Sequence, residues 1–396
     1  MIGERIKQYR LARGMSLEDL AIAMGDIVSR QALHKYEKGD AKPSPAVLTR
    51  LGTALQIPPA SLWHQPEVKV GLVAYRKHSR MTKTHQEQAE SLVNVALEER
   101  LRLQELLQRE LEQQDPSDIP VHRFTVTSLD EAEAAADDLR QKWDLGADAL
   151  CNLTTILEDH SIHVIEIDVD EKFDGLSAIA RKEGEVVSAA VISRRGVPGD
   201  RQRFNMAHEL GHIVMEVAPG VDEERAAHRF AGAFLAPAKL LWREVGKKRT
   251  SIGMGELKIL KSKIGLSVQA LLMRLRDLKI IEEEHYKMWC ITLNKAGLRS
   301  QEIGESLAPE RSQWLEMATL KALAEGLISS REAKGLIGDQ VASRDIPDSL
   351  AQWRAFIGLP AQQRQKLVEE QAQRAATMPD QTDWNEWESA EAPLPA

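Results

Sequence analysis

The stretch 203–215, RFNMAHELGHIVM, sets two histidines four positions apart, with a glutamate after the first, inside an otherwise apolar run. On an α-helix, positions four apart share one face about one turn from each other, so His208 and His212 can aim their imidazoles at a common point. Glu209 sits about 100° further round, off that pair but near it. The plain alternative is a buried helix that happens to contain these three residues.

The pattern is the HExxH zincin signature. Two neutral imidazole nitrogens can hold a zinc ion, which lowers the pKa of its water toward neutrality. A neighbouring carboxylate can then take the water's proton and deliver it to a leaving amine. That chemistry needs a third ligand. After the breaking residues APG (218–220), VDEERAAHRFAGAFLAPAKLL begins a second helix. Asp222, Glu223 and Glu224 fall in its first turn, where carboxylates also suit the helix dipole. Its apolar face (Ala227, Phe230, Ala231, Phe234) is expected to lie against the first helix. Glu224, one turn before Ala227 and His228, points toward that contact. Glu223 is nearly as well placed, and periodicity does not separate the two. For stabilising a tetrahedral oxyanion the candidates are His228, Tyr286 and Arg203, each with an ordinary structural alternative.

Upstream, IHVIEIDV and VVSAAVIS read as strands on either side of DGLSAIARKEG, between helical segments such as DEAEAAADDLRQKWDLG. This predicts an α+β domain with a small sheet. VVSAAVIS is expected to offer an edge for an extended peptide.

The first 63 residues have a different character. Residues 1–83 carry fourteen Lys/Arg against seven Asp/Glu, so the chain's net charge of −8 leaves −15 on the remainder. A basic head on an acidic body confines any nucleic-acid contact to the head. Gly, Pro and Ser signals divide it into five short helices. Ser16 with Asp19 opens the second, Ser29 the third, Pro43 and Pro45 precede the fourth, and Pro58-Pro59 opens the fifth. The third, SRQALHKYEKG, can turn Arg30, Gln31, His34 and Lys35 outward while Ala32, Leu33 and Tyr36 face in, as a recognition helix requires. MSLEDLAIAMG, VSRQALHKYEKGDAKPS and LTRLGTALQIP resemble the helix-turn-helix of the XRE family of phage and bacterial regulators. The resemblance implies a double-stranded DNA operator as partner through residues 1–63, Ser29, Arg30, Gln31, His34 and Lys35 at the DNA, and binding as a homodimer on paired half-sites.

Between these regions, THQEQAESLVNVALEERLRLQELLQRELEQQD (84–115) has no internal Gly or Pro and reads as one long amphipathic helix, packed on its own domain or serving as a dimer spacer. Residues 282–396 read as helical, and the last segment, PDQTDWNEWESAEAPLPA, is acidic with Trp384 and Trp387, as in a disordered docking tail.

DGLSAIARKEGEVVSAAVISRRGVPGDRQRFNMAHELGHIVM and DEERAAHRFAGAFLAP are similar to the ImmA/IrrE family of zinc metallopeptidases. The similarity extends over roughly residues 70–280 and covers the fusion to a helix-turn-helix. It implies one Zn2+ per chain held by His208, His212 and Glu224, with Glu209 as general base. It also implies a protein substrate of the repressor or antitoxin-like kind, cleaved to switch transcription in stress, phage or plasmid contexts. Two positions depart from the pattern: Asn205 stands where Thr or Ser is common, and His228 where Asn is usual. At the latter position a side chain orients a zinc-bound histidine from the second coordination sphere.

The expected fold class is mainly α and multidomain. A five-helix helix-turn-helix bundle (1–65) is followed by a helical connector (66–120) and an α+β zincin-like metallopeptidase domain (121–281). A helical C-terminal module (282–375) and an acidic disordered tail (376–396) complete it. Two cysteines in no ligand spacing, a charged N-terminus and no long apolar run point to a reducing cytoplasm and no membrane span. The rival to a zinc endopeptidase is a non-cleaving repressor or antitoxin whose zinc site is structural or sensory. A further variant keeps the peptidase but makes DNA its activator.

Overall fold

Short polar residues start the helices of the N-terminal bundle. The structure, a computed structural model, describes residues 2–63, 68–73, 81–111, 119–298 and 303–338. Helix α1 (Ile2–Ala12) leads to α2 (Leu17–Ala23), where Ser16 and Asp19 form a reciprocal capping box. The Ser16 hydroxyl accepts from the Asp19 N–H at 3.1 Å and the Asp19 carboxylate accepts from the Ser16 N–H at 2.8 Å. Ser29 caps α3 (Arg30–Lys38), and Ser44 with Pro45 opens α4 (Pro45–Ala54). The fifth element is a single 3₁₀ turn, Pro59–Leu62, with proline at its start, where the missing N–H has no partner to lose. Ile6, Leu20, Leu33, Leu51, Leu55 and Leu62 are wholly buried in this bundle.

The segment expected as a helical connector does more than connect. Val68–Val73 forms strand β1, and Lys83–Leu111 the long helix α5. One side of α5 meets the bundle: Val95 packs on its core, and Arg5 donates to Glu98 at 2.6 Å. The other side lays Ala89, Val93, Leu97 and Leu101 on a sheet. Helix α5 thus packs on both the bundle and the sheet of its own chain.

That sheet has the order β1-β4-β5-β3, with β3 at Ile162–Ile167, β4 at Gly175–Lys182 and β5 at Glu185–Arg194. β1 and β5 each run antiparallel to β4, and β3 runs parallel to β5. β4 lies in the stretch between the two expected strands and joins β5 through Glu183 and Gly184. Both of these have positive φ (53° and 96°), the turn geometry that matches strand twist. The expected edge strand VVSAAVIS is interior instead. β5 is sandwiched between β4 and β3, and its alternate residues enter two different cores: Ala189 and Val191 on one face, Ala190 and Ile192 under α5 on the other. An apolar run without polar alternation is what burial on both faces produces.

The face opposite α5 carries the larger core. It is built from α6 (Leu129–Lys142), α7 (Leu153–Asp159), α8 (Gly199–Val214) and α9 (Glu223–Leu235), then α10 (Ala238–Val245), α11 (Met254–Ile264) and α12 (Val268–Asp277). Strands β2 (Phe124–Val126) and β6 (Met215–Val217) pair in parallel directly after α8 and pin its C-terminal end.

The expected boundary after residue 281 does not coincide with a break in packing. Leu293, on α13 (Glu283–Lys295), and Ile303 are buried in the same core as α8 and α9. Residues 303–314 are then stitched to the start of α8. The Gly199 N–H donates to the Leu307 carbonyl at 2.8 Å, Gln202 exchanges two bonds with the Glu310 backbone, and Arg203 pairs with the Glu310 carboxylate at 2.6 Å. By contacts the chain divides into units 1–322 and 323–396. Helix α14 (Trp314–Ala324) closes the first, and the second contains α15 (Ser330–Ile337), started by a Ser329–Glu332 capping box. The acidic tail with Trp384 and Trp387 lies outside the described residues, as do 299–302 and 339–375 of the expected C-terminal module. Among the described residues, no helix is long and apolar enough to cross a membrane.

Candidate metal centre

Helix α8 is buried on nearly every side, with Met206, Ala207, Leu210, Ile213 and Val214 fully enclosed, which fixes the direction of His208, Glu209 and His212. Helix α9 crosses it closely because position 211 is glycine: a Cβ there would lie 3.1 Å from the Phe230 ring and 3.4 Å from the Ala227 Cα. The first turn of α9, started by Asp222, thereby reaches the histidines.

The carboxylates of that turn divide. Glu224 lies between the two rings, Oε2 at 3.4 Å from His208 Nε2 and Oε1 at 3.5 Å from His212 Nε2, while the two Nε2 atoms are 3.2 Å apart. Ligands at about 2.05 Å from a tetrahedral zinc-sized ion are about 3.3–3.4 Å from one another. These separations lie near that value, the two Glu224 contacts ending on different oxygens; with one donor atom from each residue all three lie within 4.8 Å of one another, and they form the one His/Cys/Asp/Glu cluster of metal-binding geometry among the described residues. Glu223 instead lies 3.5 Å from His212 Nδ1, on the outer side of that ring.

The electrostatics suit a cation. Burial pushes the His208 pKa down to about 4, keeping its ring neutral. Hydrogen bonding with His208 and His212 holds Glu224 well below the usual carboxylate range. Burial works to lower His212 as well, but its contact with Glu224 and the charges of Glu209, Glu224 and Glu223 outweigh it, so its pKa is raised. A neutral imidazole beside an ionised carboxylate is a donor set that a divalent metal takes without first displacing protons, whereas the protonated form of His212 would have to release one.

Glu209 is almost fully buried, and burial raises its pKa to about 7, against the opposing effects of His212 and of a hydrogen bond from Ser177. The Ser177 hydroxyl donates to Glu209 Oε2 at 2.9 Å. Gly175, two residues earlier on β4, leaves room for the same carboxylate: a Cβ there would come within 3.0 Å of Oε1. Sequence reasoning passed over both residues. The one signal for Ser177 was a hydroxyl inside the otherwise apolar run LSAIA.

His228 reaches the site, but not in the expected manner. Its Nδ1 donates to the Glu224 backbone carbonyl at 2.7 Å, and its ring stands edge-on to His208 with centroids 4.4 Å apart. The buried Nδ1 of His208 has no hydrogen-bond partner among the described residues, so His228 packs against that ring and does not orient it through a bond. Asn205 donates to the Asp174 carbonyl at 3.1 Å and anchors the start of β4 to α8. Two of the three oxyanion candidates have structural work elsewhere. Arg203 is bonded to Glu310 and to the Leu150 and Cys151 carbonyls, and the Tyr286 ring lies under the Arg276 guanidinium at 4.4 Å.

In the N-terminal bundle, Ser29, Arg30, Gln31, His34 and Lys35 are all exposed around α3, while Leu33 is buried and Ala32 and Tyr36 are half-buried. The Ser29 hydroxyl accepts from the Ala32 N–H at 3.3 Å and fixes the helix start.

Comparison with known families matches both regions. Residues 6–62 match the helix-turn-helix family model, and residues 157–276 match a peptidase family model described as the IrrE N-terminal-like domain. No curated protein and no solved structure matches the chain. The chain therefore joins a DNA-binding helix-turn-helix domain to an IrrE-like, metallopeptidase-like domain.

Proposed function

We propose that this protein is a cytoplasmic, DNA-binding transcriptional regulator whose second domain is a zinc endopeptidase acting on a regulatory protein. The observation that carries the reading is the convergence of His208, His212 and Glu224, with nearest donor contacts of 3.2–3.5 Å, beside a carboxylate held by Ser177.

His208, His212 and Glu224 would hold the zinc ion, which would supply polarisation of a scissile carbonyl and a water of near-neutral pKa. Glu209 takes the proton of the attacking water on its carboxylate and passes it to the leaving nitrogen. A folded-state pKa near 7 before metal binding suits a group that must both accept and release a proton. A cation held beside Glu209 would favour its ionised, proton-accepting form. Ser177 holds Oε2 and leaves Oε1 for the transfer. The substrate class, a repressor or antitoxin-like protein, rests on the family resemblance, and cleavage would switch genes under stress.

The basic head supplies the address. Arg30, Gln31 and His34 present donors to base edges in the major groove, Lys35 contacts phosphate, and Ser29 sets the start of the recognition helix. Two copies on paired half-sites would match the operator symmetry of such domains.

The test compares newly formed protein N-termini in cells carrying wild type or Glu209→Gln, with and without DNA damage. Termini that require Glu209 establish the peptidase and name its substrate. If zinc is bound and the fold intact but the two profiles coincide, the protein is the non-cleaving repressor.

A further inference from the structure

We propose that Glu223 is a positioning residue for His212, fixing the imidazole so that Nε2, and not Nδ1, faces the metal. The proposal rests on the zinc reading above and adds to it a second carboxylate with a distinct role.

The two nitrogens of His212 meet different partners. Nε2 faces His208 and Glu224, at 3.2 and 3.5 Å. Nδ1 faces Glu223 Oε1 at 3.5 Å. The side chain of His212 is only 3% exposed, and its Nδ1 is buried with no hydrogen-bond partner among the described residues. A buried N–H without a partner is costly, and a neutral imidazole must carry its proton on one nitrogen or the other. Glu223 is the carboxylate in place to receive that proton's hydrogen bond. Its side chain is 40% exposed and free to rotate through the few tenths of an ångström that convert the present ion-pair contact into a direct bond. Once Nδ1 donates to Glu223, Nε2 is left bare for a cation, which is how outer carboxylates act on metal-bound histidines elsewhere.

Adjacent positions on one helix point about 100° apart. Glu223 and Glu224 can therefore address the same ring from two sides, one at each nitrogen. Among the described residues His208 has no such support, since its buried Nδ1 lacks a hydrogen-bond partner there and its flank is packed by His228. His212 is thus the anchored ligand of the pair.

The competing role for Glu223 is a charge at the N-terminus of α9, where Asp222 already serves as the cap. Chain length separates the two roles. Glu223→Asp keeps the charge at the helix end but loses reach, whereas Glu223→Gln loses the charge and keeps an acceptor oxygen at the same reach. Zinc affinity of the full chain would be measured by competition with a chromophoric chelator, for wild type and Glu223→Ala, Glu223→Asp and Glu223→Gln. DNA binding by each variant serves as the folding control. The expected result is affinity about 10- to 100-fold weaker for Ala and Asp, with Gln recovering part of the loss. The proposal is overturned if all three variants match a zinc-binding wild type within about twofold, or if Asp keeps full affinity while Ala and Gln lose it; the zinc reading survives both results. A wild type that takes up no zinc removes the zinc reading itself, and this proposal with it.

Discussion

The Ser177 hydroxyl donates to Glu209 Oε2 at 2.9 Å, so a strand residue fixes the carboxylate that the HExxH helix supplies. Both groups are buried, and Ser177 is fully so. Helix α8 aims Glu209 at the sheet, and β4 determines which of its oxygens is engaged. The site is therefore assembled from a helix and a strand, not from the helix alone.

Removing that hydroxyl separates positioning from metal binding. Ser177→Ala should leave zinc content at the wild-type level, because Ser177 contacts no ligand atom. It should slow the formation of Glu209-dependent N-termini by about five- to tenfold, the equivalent of one hydrogen bond of ~1 kcal/mol lost from the proton-transferring group. Unchanged cleavage at equal protein level would show that Glu209 is oriented by packing alone.

Gly211 offers a test of helix spacing. Alanine would add helix propensity worth ~1 kcal/mol but place a Cβ 3.1 Å from Phe230, which is wholly buried and has no space to retreat. Overpacking of this kind costs about 1–3 kcal/mol, so the net effect of Gly211→Ala should be destabilisation by ~1 kcal/mol in urea unfolding. The same separation sets the reach of Glu224, so zinc affinity should fall as well. Stability and affinity both at wild-type level would mean that α9 is free to shift.

These two cases show what the sequence could and could not disclose. The pairing of His208 with His212, the start of α9 and the exposed face of α3 depend on helix period and on caps within three or four residues, so they were legible. The distinction between Glu223 and Glu224 was not, because it depends on how closely α8 and α9 approach at Gly211. β4 was missed because its small residues carry little strand signal without their neighbours. β1 and the Glu310 segment join the domain through partners about 110 residues away in sequence, as in Val68↔Lys182 and Arg203–Glu310, and no local pattern encodes such pairings. The unrecognised β4 is also what makes β5 interior, since β5 pairs with β4 on one side and β3 on the other.

A buried histidine outside the His208, His212 and Glu224 cluster gives a pH dependence of known sign. His163, on β3, lies edge-on to Trp314 with centroids 4.5 Å apart, and burial, aided by the nearby charge of Arg100, pushes its pKa down to about 3. Above about pH 6.5 the ring is neutral whether the chain is folded or unfolded and contributes no pH dependence. As pH falls below that value, the unfolded chain takes up a proton that the folded one refuses, and stability drops by ~1.4 kcal/mol per pH unit until the folded pKa is reached. Between pH 6.5 and 4.5, wild type should therefore lose about 2 kcal/mol relative to His163→Phe, followed by tryptophan fluorescence in urea. A difference that stays flat across that range would mean the ring is protonated in the fold.

The exposed face of α3 yields predictions that separate sequence reading from charge. Gln31 lies in the first turn of α3 and Lys35 one turn later, both exposed. An amide at the start of a recognition helix can make two bonds to an adenine edge, so Gln31→Ala should weaken binding to the preferred operator by about 1–3 kcal/mol and leave non-specific binding unaltered. Lys35→Ala should instead weaken binding to every duplex alike and reduce the slope of log K against log salt by about one. Electrophoretic or anisotropy titrations at several salt concentrations, on selected and scrambled duplexes, distinguish these outcomes. Neither variant should change zinc affinity, because both residues lie in the N-terminal bundle, away from His208, His212 and Glu224. If Gln31→Ala and Lys35→Ala gave the same loss on both duplexes, α3 would be a basic surface and not a reading helix.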